Sequence, residues 1–317
     1  MPPAPDNMPS TGPSPVVVGI GAATWDRFMI VPELPGTEGV TQSLGSTEQG
    51  GGPVATALCT LAALGQPAEL LDVQGDDPLG ETILSELSSY GVRTRHVVRH
   101  SGAKSAHAQI LVREIDGARH IIFSPSTASE LGFGESLKIL LSKARLLHLN
   151  GRHEAAAREG AAAAKASGVT VSFDGGAGRY RDSIRDLVLA SDLRILAKDF
   201  SLQFTKAKSI EAAATTLLSD SPRLLVITDG LQGSWIWPRH EAPFHCPAFP
   251  VADVVDTTGC GDVYHGAFLH GWLCGWPWRK TARFASLLAA ETARSLGGRT
   301  ALRTTDFAAI ERRAKLA

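Results

Sequence analysis

The sequence predicts an α/β protein: a doubly wound, mostly parallel sheet flanked by helices, with a small β layer beside it. Three observations carry this. From residue 135 onward helical and strand patterns alternate, with helix over 135–144, strand over 145–150, helix over 154–167, strand over 169–173, helix over 182–189, and strands over 194–196 and 224–228, which is the rhythm of βαβ units. Runs such as Val16-Val17-Val18-Gly19-Ile20 are continuously apolar and suit strands buried on both faces. Asn150, Arg152 and Asp174 follow strand patterns, at the carboxyl ends where ligands of such sheets sit.

The chain has 317 residues, enough for a large core, and a formal net charge of −1. That charge offers no basic field for nucleic acid or a membrane surface, so a small molecule is the expected partner. No apolar run is long enough to cross a membrane. Residues 1–14 are made largely of Pro with Ser, Thr, Asn and Gly, lack a basic segment followed by an apolar one, and are expected to be a disordered tail ahead of a single domain over 15–317. Cys59, Cys246, Cys260 and Cys274 show no CxxC spacing, which points to a reducing, cytoplasmic compartment.

Taken in order, residues 25–32 alternate and end at Pro32 as a strand, with Asp26 where it leaves the core, by itself readable as a solvated turn carboxylate. Gly50-Gly51-Gly52-Pro53 precedes a helix of small residues that closes at Gly65, with proline at its start and glycine after its end. The three glycines suit a flexible loop or a close backbone approach to ligand. Residues 70–80 read as strand, then loop, leading into a helix to about Tyr90. Two β-rich runs, 105–114 and 119–123, flank Asp116-Gly117, a strong hairpin signal. Arg152 could grip an anion bidentately or pair with Glu154. Ile227-Thr228-Asp229-Gly230-Leu231-Gln232-Gly233 follows a strand with a glycine turn, and 278–296 reads as a long helix ending at Gly297-Gly298.

The most informative stretch is Val255-Asp256-Thr257-Thr258-Gly259-Cys260-Gly261-Asp262, which passes through a Gly-x-Gly turn into an apolar helix reaching about Trp276. Unpaired N–H groups at such a helix start, together with the helix dipole, favour an anion. Asp262 in the first turn could cap the helix or act on whatever the turn holds. Cys260 at a helix start could be activated as a nucleophile, but no histidine stands beside it as a base. Tyr264, His265, Trp272, Trp276 and Trp278 read as helix packing. His245 and Cys246 lack the further ligands of a zinc site, and the absence of G-x-x-x-x-G-K-[ST] excludes a P-loop.

The 256–262 segment resembles the C-terminal signature of the ribokinase-like (PfkB) carbohydrate kinases, and the resemblance runs from about residue 16 to 304. It implies the ribokinase-like fold and ATP-dependent phosphorylation of a hydroxymethyl group on a ketose- or furanose-like sugar, free or already phosphorylated. Asp262 would be the catalytic base and Gly259, Cys260 and Gly261 the anion hole. Asp26, Gly51, Gly52, Thr56, His107, Asn150 and Arg152 would bind sugar. Thr228, Gly230, Gly233 and Asp199 would bind ATP, with Mg²⁺ as cofactor. Asp256 matches the aspartate near a monovalent cation, K⁺. Segments of about 27–47 and 97–125 would form a β lid that closes over sugar and clasps a second copy into a homodimer. Two departures stand out: Thr56 replaces the family's asparagine, and Ala197-Lys198-Asp199-Phe200 replaces N-x-x-E, with Asp199 the available carboxylate. Gly50-Gly51-Gly52-Pro53, Ala103-Lys104-Ser105 and Gly297-Gly298-Arg299 are similar to the sulfofructose kinase branch, but Val40 and Phe123 stand where that branch has its lysine and asparagine, so a sulfonate is not expected. A nucleoside kinase, or a sugar-binding regulator that has lost catalysis, are the alternatives the same fold permits.

Overall fold

Val17, Val18 and Ile20 are fully buried because β1 (Val17–Ile20) lies between two parallel neighbours in the middle of a layered structure. This is a computed structural model that describes residues 17–36 and 38–315; the tail expected over 1–14 lies outside them. After β1 come β2 (Thr24–Val31), β3 (Gly45–Gly51), α1 (Pro53–Ala63), β4 (Ala68–Leu71), β5 (Val73–Gly75), α2 (Pro78–Ser89), β6 (Val98–His100), β7 (His107–Arg113), β8 (Arg119–Ser124) and α3 (Glu135–Ser142). Then follow β9 (Leu146–Leu149), α4 (Glu154–Ala166), β10 (Thr170–Gly175), α5 (Arg185–Ala190), β11 (Leu193–Ala197), α6 (Lys198–Thr205), α7 (Ile210–Leu217) and β12 (Leu224–Thr228). The chain closes with β13 (Ser234–Pro238), β14 (Phe244–Cys246), α8 (Cys260–Leu273), α9 (Trp278–Thr292) and α10 (Phe307–Lys315).

The main sheet runs β14-β13-β12-β11-β10-β9-β1-β4. It is parallel from β4 to β12, and β13 and β14 add an antiparallel edge. Alternate residues feed two cores. Leu146 joins the core under α1, α8 and α9, whereas Leu147 and Leu149 join the core under α3, α4 and α7, as a sheet covered on both faces requires. A second sheet, β3-β2-β7-β8, stands apart, with β2 and β7 parallel and the outer pairs antiparallel. Phe28, Ala108, Ile110 and Val112 form its own small core.

Several boundaries differ from the sequence expectation. The last helix of the expected fold ends at Thr292 rather than 296, because the Ala293 carbonyl accepts from the Val255 and Asp256 N–H groups across the site. α8 ends at Leu273 instead of reaching Trp276, with Gly275 at φ +68 turning the chain. The expected alternation lacks α6, α7, α10, β13 and β14, all of which are present.

Arg299 fastens the ends of the chain together. It is fully buried; its Nε donates to Thr56 Oγ1 (3.1 Å), its Nη2 to the Gly51 carbonyl (2.7 Å), and its Nη1 to Glu86, while its own N–H donates to Gln49 Oε1 (2.8 Å). Glu86 also accepts from Gly50 N–H at 2.9 Å. Breaking a buried pair from one side leaves a charge without a partner, at a cost of about 3–5 kcal/mol. Arg299→Met should therefore lower the urea midpoint by that order of stability, and adding Glu86→Leu should recover part of it; equal stability of Arg299→Met and wild type in urea melts would contradict the clamp.

Candidate active site

Local backbone demands build the turn at the start of α8. Asp256, fully buried, accepts from Thr258 N–H (2.8 Å) and Thr258 O–H (2.7 Å) through Oδ1, and from Gly297 N–H (2.9 Å) through Oδ2. Three of a carboxylate's roughly four lone-pair positions are thus filled by the chain. Gly259 has φ +76, and a Cβ there would lie 2.4 Å from Gly298 Cα, so glycine is required on two counts. No side chain caps α8, and the space over Gly261 is open. The first-turn N–H groups therefore face a gap suited to an anion.

Two carboxylates share the space beside this turn. Asp262 is partly exposed; crowding by protein raises its pKa, Arg179, His265 and Arg119 act to lower it, and Asp174 raises it further. Asp26, 9% exposed, is pushed up to about 6 by burial, with the Thr24 hydroxyl bond (2.8 Å) and the Arg299 charge opposing the shift and Asp262 adding to it. Gly51 lies against Asp26, since a Cβ on it would sit 1.9 Å from Oδ2, and Gly52 (φ +92) packs where a Cβ would strike the Ala22 carbonyl at 2.1 Å. The Gly-rich stretch is a fixed wall rather than a flexible loop.

The remaining sugar-side residues divide. Asn150, at the end of β9, is buried and accepts from Arg152 N–H at 3.2 Å. Glu154 goes to Arg158 and Arg181, so the alternative Arg152–Glu154 pair does not form. Arg152 instead lies 6.0 Å from the Phe123 ring and lines a small pocket with Asp72, Ser126, Ser129 and His153. Thr56, expected to touch substrate, is 3% exposed and gives its hydroxyl oxygen to Arg299. The register places His107, expected to bind sugar, on the other face of the strand pair from Asp26. His107 pairs with Trp25 while Ala108 pairs with Asp26, and neighbouring residues of a strand point to opposite faces. His107 therefore stands in a cleft of ≈ 430 Å³ with Trp25, Arg27, Glu48 and Lys104, behind Asp26.

At the ends of β11 and β12 the second glycine turn takes shape. Gly230 (φ +48) and Gly233 (φ +87) both take left-handed conformations, Asp229 N–H donates to the Gly233 carbonyl at 2.8 Å, and Lys198 bonds Asp229 at 2.8 Å. Thr228 pairs with Ala197 in the sheet, which sets Asp199 in the first turn of α6 beside it, its Oδ2 accepting from Gly178 N–H at 2.7 Å. Burial, with the nearby Asp256 charge, pushes the Cys260 thiol up to about 12, which argues against a nucleophilic role.

His265, expected to be helix packing, has a polar partner. Its Nε2 is 3.4 Å from Asp174 Oδ1, and its ring centre is 5.9 Å from that of His148. Burial depresses His265 to about 4 and His148 to about 3, and raises Asp174. The sequence reading also missed two arginines. Arg119 on β8 donates to Thr257 Oγ1 at 2.6 Å, and Arg179, after β10, acts on both Asp174 and Asp262. A basic residue after Gly-Gly-Ala-Gly at a strand end is a readable signal for Arg179; nothing local marks Arg119, which arrives from the other sheet.

A glycine turn at the start of α8 with Asp262 in its first turn and Asp26 within its reach, a second glycine turn after β12 and a separate β layer beside a doubly wound sheet are the features of a ribokinase-like small-molecule kinase. Residues 15–305 match the pfkB family carbohydrate kinase model, and the chain belongs to that family; it is an ATP-dependent kinase of the sugar or nucleoside class. It is 27% identical over 285 residues to an ATP-dependent ribose-1-phosphate kinase of Halopiger xanaduensis, covering 90% of this chain and 94% of that protein. The fold matches the Arabidopsis thaliana ribokinase solved with ribose and ATP (TM-score 0.81, 21% identity, 96% of this chain and 100% of that one). It likewise matches the Sinorhizobium meliloti adenosine kinase (TM-score 0.82, 22% identity, 94% and 98%).

The raised Asp26 carboxyl makes a stability prediction. A carboxyl whose folded pKa is above its unfolded value of about 3.9 contributes stability that is complete below that value and lost as pH rises through the folded pKa. With a folded value of about 6, roughly 3 kcal/mol is lost between pH ~4 and ~6. Asp26→Asn, which keeps the Thr24 bond, should be the more thermostable protein at pH ~7.5 and should lose that advantage near pH ~4; parallel Tm profiles for the two would show that Asp26 is not so perturbed.

Proposed function

We propose that this kinase transfers the γ-phosphoryl group of ATP to a hydroxymethyl group of a ketose- or furanose-like sugar, free or phosphorylated, with Asp262 as the general base. The observation that carries this reading is that Asp26 lies within electrostatic reach of Asp262 at the uncapped start of α8. Asp26 and the Gly51 and Gly52 backbone hold the sugar, and Asn150 and Arg152 bound its far end. Asp262 takes the proton of the attacking hydroxyl. Its raised pKa brings it closer to the working pH, which favours a base. The N–H groups around Gly259, Cys260 and Gly261 receive the negative charge of the transferring group, where prearranged donors are most effective. Thr228, Gly230 and Gly233 hold the nucleotide, with Asp199 beside them.

For Mg²⁺, which the family uses with ATP, the chain offers a sparse but sufficient donor set. Phe200 is 1% exposed in the core, so Asp199 alone supplies oxygen in that stretch. One of its oxygens holds Gly178 N–H, and the other keeps its lone pairs. Mg²⁺ commonly takes one or two carboxylates plus waters and substrate phosphates; bound there, it would neutralise phosphate charge. Asp256 serves as the anchor of the turn, with one lone-pair position left for a K⁺ ion.

The four-stranded sheet, built from segments 27–47 and 97–125, is the lid in this reading. Ile121, Ile122 and Phe123 on β8 are 47%, 54% and 46% exposed, an apolar edge that suits a second copy of the chain. Ile122→Glu should convert a dimer to a monomer in size-exclusion chromatography, and an unchanged elution volume would rule out this interface. No helix among the described residues is long and apolar enough to cross a membrane; a cytoplasmic setting is part of the same proposal.

The decisive measurement is ADP release over a panel of sugars, sugar phosphates and nucleosides. A turnover confined to nucleosides would replace the sugar assignment, and tight sugar binding without turnover would make the protein a regulator. With the substrate found, Asp262→Asn should fold and bind ATP yet lose about 10²–10⁴ in kcat. Near-normal kcat in that variant would remove Asp262 from the base role.

A further inference from the structure

His148, Asp174 and His265 are brought together by the register of the main sheet. His148 on β9 pairs with Ser172 on β10; Asp174, next but one along β10, points to the same face. α8 lies over that face and lowers His265 onto it. All three are nearly sealed, at 0%, 2% and 4% exposure. Their ligand atoms lie within 4.8 Å of one another, the one such cluster among the described residues. His148 Nε2, Asp174 Oδ2 and His265 Nδ1 make no hydrogen bond among the described residues, in a setting where buried polar atoms are nearly always satisfied.

We propose that these three residues form a site for a divalent transition-metal ion of the zinc class, held between the main sheet and α8 and separate from the Mg²⁺ that accompanies ATP. Asp174 as a carboxylate only accepts. Each imidazole, kept neutral by burial, presents one bare lone pair. With the His148 Nδ1 proton given to Ser172 Oγ at 3.3 Å, the His148 Nε2 lone pair is the one left in the cluster. A cation between the three residues can take the lone pairs of His148 Nε2, His265 Nε2 and the Asp174 carboxylate together, with the His265 proton on Nδ1. A tetrahedral ion with bonds of about 2.0–2.1 Å sets neighbouring donors about 3.4 Å apart. Asp174 Oδ1 and His265 Nε2 are already at 3.4 Å, and His148 has to move inward.

Two nitrogens and one oxygen select zinc-like ions over Mg²⁺, which prefers oxygen throughout. Arg179 opposes a cation at Asp174, but two carboxylates, Asp174 and Asp262, stand against that one guanidinium. A bound ion would pin α8 to β9 and β10 one helical turn below Asp262, stiffening the base and the anion turn together. The site does not depend on which hydroxyl compound the enzyme phosphorylates.

Tag-free protein stripped with EDTA and titrated with CoCl₂, without nucleotide, should develop visible ligand-field absorption that saturates at one equivalent. ZnCl₂ should abolish the colour and raise Tm, and MgCl₂ should do neither. His265→Ala and Asp174→Asn should each weaken Co²⁺ binding at least about tenfold, while His120→Ala on β8 leaves the spectrum unchanged. Absence of both the Co²⁺ spectrum and the Zn²⁺-dependent Tm shift in wild type overturns the site, as does an unaltered spectrum in both variants. Should those variants fail to fold, the wild-type titration and Tm series alone decide.

Discussion

The buried guanidinium of Arg299 is the interaction on which the rest depends. It reaches the Gly51 carbonyl, Thr56 and Glu86, groups far away in sequence, and charges are tolerated inside a protein only when fully paired and hydrogen-bonded. The residues just before it do the same work by other means. Gln49 donates to the Leu296 carbonyl at 3.2 Å, Gly297 N–H holds Asp256, and Gly298 packs on Gly259 so closely that neither tolerates a side chain. One short segment after α9 therefore touches both the wall beside Asp26 and the turn before Asp262. The two halves of the cleft are positioned from a single place.

Electrostatics in the cleft follow from that arrangement. Asp26, Asp174 and Asp262 are brought near one another in a partly dry space, and burial raises each of them. An incoming polyphosphate would meet repulsion if they stood alone. Arg119, Arg179 and Arg299 supply the opposing charge, each from a different element: the lid strand β8, the loop after β10 and the segment after α9. The Arg119 contribution comes from the second sheet, since Arg119 on β8 donates to Thr257 beside the turn, so the two sheets together place positive charge next to the first-turn N–H groups of α8.

The parts legible in the sequence are those whose cause is local. Gly259, Gly52 and Gly233 announce themselves because positive φ and close approach are backbone demands, and β1, β9 and β12 do so because apolar runs of that length suit buried parallel strands. The hairpin at Asp116-Gly117 is of the same kind. The helix over 278–296 ran too long on paper because its true end is set by the Ala293 carbonyl bonding across the site. β13 carries a readable alternation, with Ser234, Ile236 and Pro238 inward, but it is masked by the tryptophans between them. The Arg299 clamp, the Arg119 contact and the turning of His107 away from Asp26 depend on register between distant strands, which no local pattern encodes. His265 reads as packing because the residues that follow it on α8 as far as Leu269 are apolar; its partner, Asp174, lies on β10.

α8 shows why a single carboxylate can be held so firmly on an otherwise apolar helix. Nearly every residue from Val263 to Leu273 is buried, the mark of a helix enclosed on all sides rather than one with a single apolar stripe. Two glycines allow that enclosure. At Gly266 a Cβ would lie 2.6 Å from the Ala57 carbonyl of α1, and at Gly271 a Cβ would lie 2.7 Å from Thr281 Oγ1 of α9. α1 begins at Pro53 directly after the glycine wall, and α9 leads to the segment that carries Arg299. The helix bearing Asp262 is thus clamped between the helices leading from one side of the cleft and toward the other. The close approach to the Ala57 carbonyl and the Thr60 side chain of α1, and to the Thr281 side chain of α9, leaves the helix little room to shift along either neighbour. A displacement large enough to spoil the geometry at Asp262 would have to separate α8 from α1 or α9, and so uncover the core that all three helices share.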